Sequence, residues 1–168
     1  MEPVIIADYD LAWPERFAEI AGRVQPAFAD THFVSVEHIG STAVPGLAAK
    51  PIIDLNVVVL SREDIPDAIG RLARLGYVHQ GDLGILGREA FHSPSEVPAH
   101  YLYLCVADNA EHRRQVAFRD YLRANEEAAD RYSALKRKLA TQHGMDRHAY
   151  SEAKTEFIEA ILAKVAAG

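Results

Sequence analysis

Hydrophobic residues along the chain change spacing from segment to segment. Phe17, Ile20, Val24 and Phe28 share one face of a helix that begins near Trp13-Pro14, where proline suits a first turn. Phe33 to Ile39 reads as a strand, followed by a loop of small residues from Gly40 to Lys50. The next run, Ile52 to Leu60, is almost continuously apolar, as in a strand covered on both faces. Ser61, with Asp64 three residues on, predicts a capped helix start. Ile65, Ile69 and Leu72 then form its inner stripe, and Gly76 ends it.

The middle of the chain is broken by turn formers. Tyr77-Val78-His79 can start a strand, and residues 81–99 contain three glycines and two prolines, the signature of a hairpin or a mobile loop. Tyr101 to Val106 reads as a further strand. No proline follows Asp108, and the spacing predicts helices over 110–124, 126–143 and 147–166, with Asn125 and Gly144 as a cap and a stop. Tyr150, Phe157, Ile161 and Val165 would share one side of the last helix. This order predicts a single α+β domain over residues 1–168: a sheet half (1–109) and a helical C-terminal cover (110–168).

Composition narrows the possibilities. Hydrophobic residues make up 49% and charged residues 25% of the 168 positions, which excludes disordered and fibrous classes. The net charge of −6 argues against coating long nucleic acid or an anionic membrane. That average hides a division, because residues 1–109 carry −8 and residues 110–168 carry +2. Cys105 is the lone cysteine, so neither an intramolecular disulfide nor a thiolate zinc cluster is expected. Met1 to Ile6 lacks the basic start of a signal peptide, and no apolar stretch is long enough to span a membrane. A cytoplasmic location is expected.

The chemistry concentrates between Glu37 and Asn56. Gly40-Ser41-Thr42 after a strand offers a backbone open to close approach and two hydroxyls, suited to phosphate oxygens or simply to a turn. Asp54 interrupts an apolar strand, where an unpaired carboxylate is costly without a cation, a metal or hydrogen bonds. Asp54 and Asn56 project from the same strand face and could together hold a hard cation such as Mg²⁺; alternatively, Lys50 or an arginine neutralises Asp54. His38 is a general base or a structural histidine. Arg119 and Arg123, four apart on one helix face, are candidates for binding an anion. The spacing from Gly40 to Gly46 and Lys50 fails the P-loop pattern, a dinucleotide fingerprint lacks its third glycine, and Ser41 lacks a nucleophile elbow. No His-x-x-x-His pair suggests a zinc site.

The block from His38 to Asp54, HIGSTAVPGLAAKPIID, closely resembles the signature of the GrpB family. Phe118 to Arg123, Tyr132, Leu135-Lys136, Leu139-Ala140, Tyr150 and Lys154-Thr155 resemble its C-terminal half. The resemblance implies a nucleotidyltransferase-like fold, a short mixed sheet flanked by helices. In that superfamily a Gly-Ser pair precedes a strand with an acid-x-acid motif, and a third acid sits on a neighbouring strand. Carried over, Gly40 and Ser41 would meet the phosphates and Asp54 would be the first acid. Asn56 stands where the second acid belongs, and the third is missing unless Glu89 folds over the site.

Two functions follow as expectations. One is Mg²⁺-dependent transfer of a nucleotidyl group to a small-molecule hydroxyl, with Asp54 and His38 catalytic and Asp54 and Asn56 on the metal. Gly40, Ser41, Thr42, Lys50, Arg119 and Arg123 would then hold the phosphates. The other is binding without turnover of a nucleotide, a phosphoanion or a coenzyme A-related ligand, the last implied by the family's fusion to dephospho-coenzyme A kinase. Either way, a small phosphorylated ligand between the acidic and basic halves is expected.

Overall fold

A computed structural model describes residues 2–168. Helix α1 (Trp13–Val24) precedes strands β1 (Phe33–Ile39) and β2 (Ile53–Val59), then helix α2 (Ile65–Arg74). Strands β3 (Val78–Gly81), β4 (Arg88–His92) and β5 (His100–Val106) follow. Helices α3 (Ala110–Ala124), α4 (Glu126–His143), α5 (Arg147–Ala153) and α6 (Thr155–Ala167) complete the chain. The expected α+β class holds. Of the two alternatives for residues 81–99, the structure forms the hairpin, with β4 inside that stretch, whereas the single helix expected over 147–166 is divided at Lys154.

The sheet runs β1-β2-β5-β4-β3 and is mixed: β2 and β5 are parallel, and every other neighbouring pair is antiparallel. Its register assigns the faces, because successive side chains alternate. Leu55, Val57, Val59, Phe91, Leu102 and Leu104 face α1 and α2 and form the main core with Trp13, Ile20, Val24 and Leu72. Asp54 and Asn56 stand opposite Tyr101 and Tyr103 on the other face. There α3 lies over the sheet, and its apolar side packs with Val44, Leu47, Tyr132 and Ile161. The near-continuous apolar run of β2 thus reflects cover on both faces.

The loop between β1 and β2 is fastened by helices that follow it in sequence. Arg119 Nη1–H donates to the His38 carbonyl at 2.9 Å, and Arg123 Nε–H to the Ala43 carbonyl at 2.9 Å. Lys136 donates to the Ala48 carbonyl, and the Ala48 N–H donates to Ser133 Oγ at 3.1 Å. A bridge between Ala7 and Ala49 adds the N-terminal segment to the same loop. These bonds satisfy backbone groups that an irregular buried loop would otherwise leave unpaired. Among the described residues, no helix is long and apolar enough to cross a membrane.

Candidate functional site

Between the signature loop, the open sheet face and the C-terminal helices lies a cavity of about 370 Å³. Gly40 forms its rim. With φ +73° and ψ −173° it occupies a region essentially reserved for glycine, and a Cβ there would stand 2.8 Å from Asp54 Oδ2. The glycine therefore lets the loop backbone lie against the carboxylate. Ser41, Thr42, Lys50 and Asp54 line the same cavity, so the structure brings these predicted residues together. Thr42 is also engaged elsewhere, its Oγ1 lying 2.9 Å from His38 Nε2.

The cavity is rich in cations. Lys50 enters from the loop, Arg88 from β4, Lys136 from α4, and Lys154 from the junction of α5 and α6. Lys136 and Lys154 lie over the rings of Tyr132 and Tyr150, with Nζ 4.7 and 4.5 Å from the centroids. The Arg88 guanidinium stacks on Tyr103 at 4.2 Å, and its Nε is buried without a hydrogen-bond partner among the described residues. None of these four cations enters a salt bridge among the described residues. Burial, then the neighbouring Lys154 and Lys50, lowers the Lys136 pKa to about 7. Burial and Lys50 lower that of Lys154 to about 8, although Asp54 opposes the change. Asp54 is itself pushed up to about 6, because burial outweighs the pull of Lys50, Lys154 and Arg88.

Other predicted residues are placed differently. His38 pairs with Leu55 across the sheet, so it projects from the face opposite Asp54 and stacks on Phe17 with centroids 4.6 Å apart. Burial, with Arg123 and Arg119 nearby, lowers its pKa to about 4, which keeps the ring neutral at pH 7. This corrects the general-base expectation: His38 braces the turn through Thr42. Asn56 shares the face of Asp54 but is covered by α3, donating from Nδ2 to Gln115 Oε1 at 2.8 Å and approaching His112 Nδ1 at 2.9 Å. Glu89 is paired with His79 at 2.6 Å on the far face and does not reach the cavity.

Arg119 lines the cavity, yet its guanidinium is already held by Glu37, Asp120 and the His38 carbonyl, each at 2.9 Å. Arg123 does not line it and serves the loop instead. Both arginines thus shape the loop that forms the cavity. Arg88 and Gln115 were absent from the sequence-based site. Arg88 follows a turn glycine in the least regular stretch of the chain, and only the register Arg88↔Cys105 places it on this face. No local signal marks it.

The magnesium centre implied by the sequence resemblance requires converging oxygen donors. Among the described residues, Asp54 is the one carboxylate on the cavity lining. The Asn56 amide is turned to α3, and its Oδ1 is buried without a partner among the described residues. Among the described residues, no group of three or more His, Cys, Asp or Glu could hold a metal. Lys50, Lys154 and Arg88 would also repel a divalent cation at Asp54. The donor set does not fit a two-cation centre.

The model for the GrpB protein family matches residues 3–164. The UPF0157 protein YqkA of Bacillus subtilis is 35% identical over 151 residues, covering 90% of this chain, but the chain spans only 44% of YqkA. A conserved protein GrpB from Enterococcus faecalis superposes with a TM-score of 0.83 at 36% identity, over 96% of each chain. The Cid1 poly(U) polymerase in its Mg 3′-dATP-bound form gives a TM-score of 0.59 at 12% identity, over 88% of this chain and 49% of Cid1. That likeness establishes a nucleotidyltransferase-like fold. A dephospho-CoA kinase of Mycolicibacterium paratuberculosis is 33% identical over 78 residues, 45% of this chain and 19% of the kinase.

Proposed function

This chain belongs to the GrpB family, and we propose that its cleft binds a small phosphorylated ligand, with ammonium groups and Arg88 supplying the positive charge that a metal would otherwise supply. The observation that carries this reading is the convergence of Lys50, Lys136, Lys154 and Arg88 around one carboxylate. Unit charges about 4 Å apart interact by roughly 4 kcal/mol at an effective dielectric of ~20. A phosphate dianion among these cations would relieve their mutual repulsion and favour the protonated lysines. Gly40 leaves room at the rim, and Ser41 offers a hydroxyl to a phosphate oxygen. The fold shared with Cid1 and the local likeness to a dephospho-CoA kinase make nucleotides and coenzyme A precursors the first ligands to try.

The competing reading is Mg²⁺-dependent nucleotidyl transfer to a small-molecule hydroxyl, favoured by the presence of Asp54 beside Ser41. A thermal-shift panel separates the two. Pyrophosphate, ATP, UTP and dephospho-coenzyme A are each added in EDTA or in Mg²⁺ to wild type, Asp54→Asn and Lys50→Met/Lys154→Met. A ligand at about 100 times its Kd adds roughly 2.7 kcal/mol, or about 5–10 °C in Tm. Anion binding predicts that shift in EDTA, retained by Asp54→Asn and lost by the double lysine variant. Shifts that require Mg²⁺ and Asp54, with pyrophosphate released from a nucleotide, would establish transfer instead.

A further inference from the structure

A second cavity of about 290 Å³ opens beside the first, under the β3–β4 hairpin. Ile52, Tyr101 and Tyr103 line both, so the two adjoin as a first and a second lobe on either side of these residues. The register relates them. Asp54 stands beside Tyr101, and the pairing Ala90↔Tyr103 continues to place His92 beside Tyr101 on its other side. Asp54, Tyr101 and His92 therefore form one row across three strands, about 10 Å from end to end at two strand spacings. That is the reach from a phosphate through a sugar to an attached ring.

The chemistry of the second lobe differs from that of the first. None of the cations of the first lobe lines it. Tyr101, 38% exposed, presents an aromatic ring at the junction. At the far end Gln80 Nε2 lies 2.7 Å from His92 Nε2. With the amide donating to the ring nitrogen, the carbonyl of Gln80 remains an acceptor, and its second N–H and the Nδ1–H of His92 remain donors. A donor–acceptor pair beside an aromatic platform suits a flat heterocycle with polar edges. It does not suit a second phosphate.

Resting on the phosphate-binding reading above, the geometry points to nucleotides as the ligand class, with phosphates among the lysines of the first lobe and the heterocyclic base stacked on Tyr101 against Gln80 and His92 in the second. The test compares tripolyphosphate with ATP and UTP by titration calorimetry on wild type, Tyr101→Ala and Gln80→Ala/His92→Ala. These side chains are exposed or at the rim, so folding is checked by an unchanged Tm. Wild type should bind at least one of the two nucleotides about tenfold more tightly than tripolyphosphate, as stacking of one base supplies. Both variants should lose that advantage while their tripolyphosphate affinity stays within about twofold of wild type. If tripolyphosphate binds wild type as tightly as both nucleotides, or if the variants leave the nucleotide advantage intact, the second lobe is not a base site. If tripolyphosphate fails to bind wild type, the phosphate reading falls, and the base assignment with it.

Discussion

Replacing Asp54 by Asn preserves the shape of the side chain and removes its charge, which gives the outcome both a sign and a size. The folded-state pKa rises from 3.8 to about 6, because burial exceeds the attraction of Lys50, Lys154 and Arg88. A carboxyl with a raised folded pKa binds more protons folded than unfolded. Its ionisation therefore lowers stability progressively as pH rises from 3.8 through about 6. The full rise corresponds to about 3 kcal/mol at neutral pH and about 1 kcal/mol near pH 4.5. Asp54→Asn should thus be more stable than wild type by about 3 kcal/mol at pH 7.5, roughly 6–12 °C in Tm. Near pH 4.5 the gain should shrink to about 1 kcal/mol. Urea unfolding of both proteins at the two pH values measures the difference, in which other titrations such as that of His38 cancel. A variant no more stable than wild type at pH 7.5, or one whose advantage does not change with pH, would refute the picture of a carboxylate held at an electrostatic cost.

Three further outcomes follow from the same geometry. Gly40→Ala should lose about 1–3 kcal/mol in urea unfolding, because it places a side chain in glycine-only backbone space and against Asp54 Oδ2. Arg119→Met should lose about 3 kcal/mol by the same assay, since it leaves Glu37 and the His38 carbonyl without their donor; Arg119→Met/Glu37→Gln should recover part of the loss. Affinity for pyrophosphate should fall as pH rises above about 7 to 8, where Lys136 and Lys154 lose their protons. Calorimetry in buffers of different ionisation enthalpy should accordingly show proton uptake on binding at pH 7.5.

Much of the framework was legible in the sequence because it depends on local patterns. The apolar run of β2 and the Ser61–Asp64 capping box each lie within a few residues of the element they start. The loop rich in small residues and the odd carboxylate at Asp54 also pointed to the cavity. What remained hidden depends on pairing between distant segments. Whether His38 shares a face with Asp54 is decided by the β1–β2 register, and that register places Ile39, not His38, opposite Asp54. The employment of Arg123 at the Ala43 carbonyl spans 80 residues of sequence. Lys154 owes its place to the break between α5 and α6, which the continuous helical spacing did not announce. The missing second acid was visible as Asn56, but the cations that surround Asp54 required the fold.

The proposal that this cleft holds phosphate by protein cations, rather than through a divalent metal, stands on metal-independent binding. Its most direct test is calorimetric titration of wild type with pyrophosphate at pH 7, once in EDTA and once with Mg²⁺ in excess. Saturable binding is expected in EDTA, and Mg²⁺ should leave it unchanged or weaken it, because the metal neutralises the phosphate charge that the lysines recognise. Binding that is absent in EDTA and appears only when Mg²⁺ is added would contradict it.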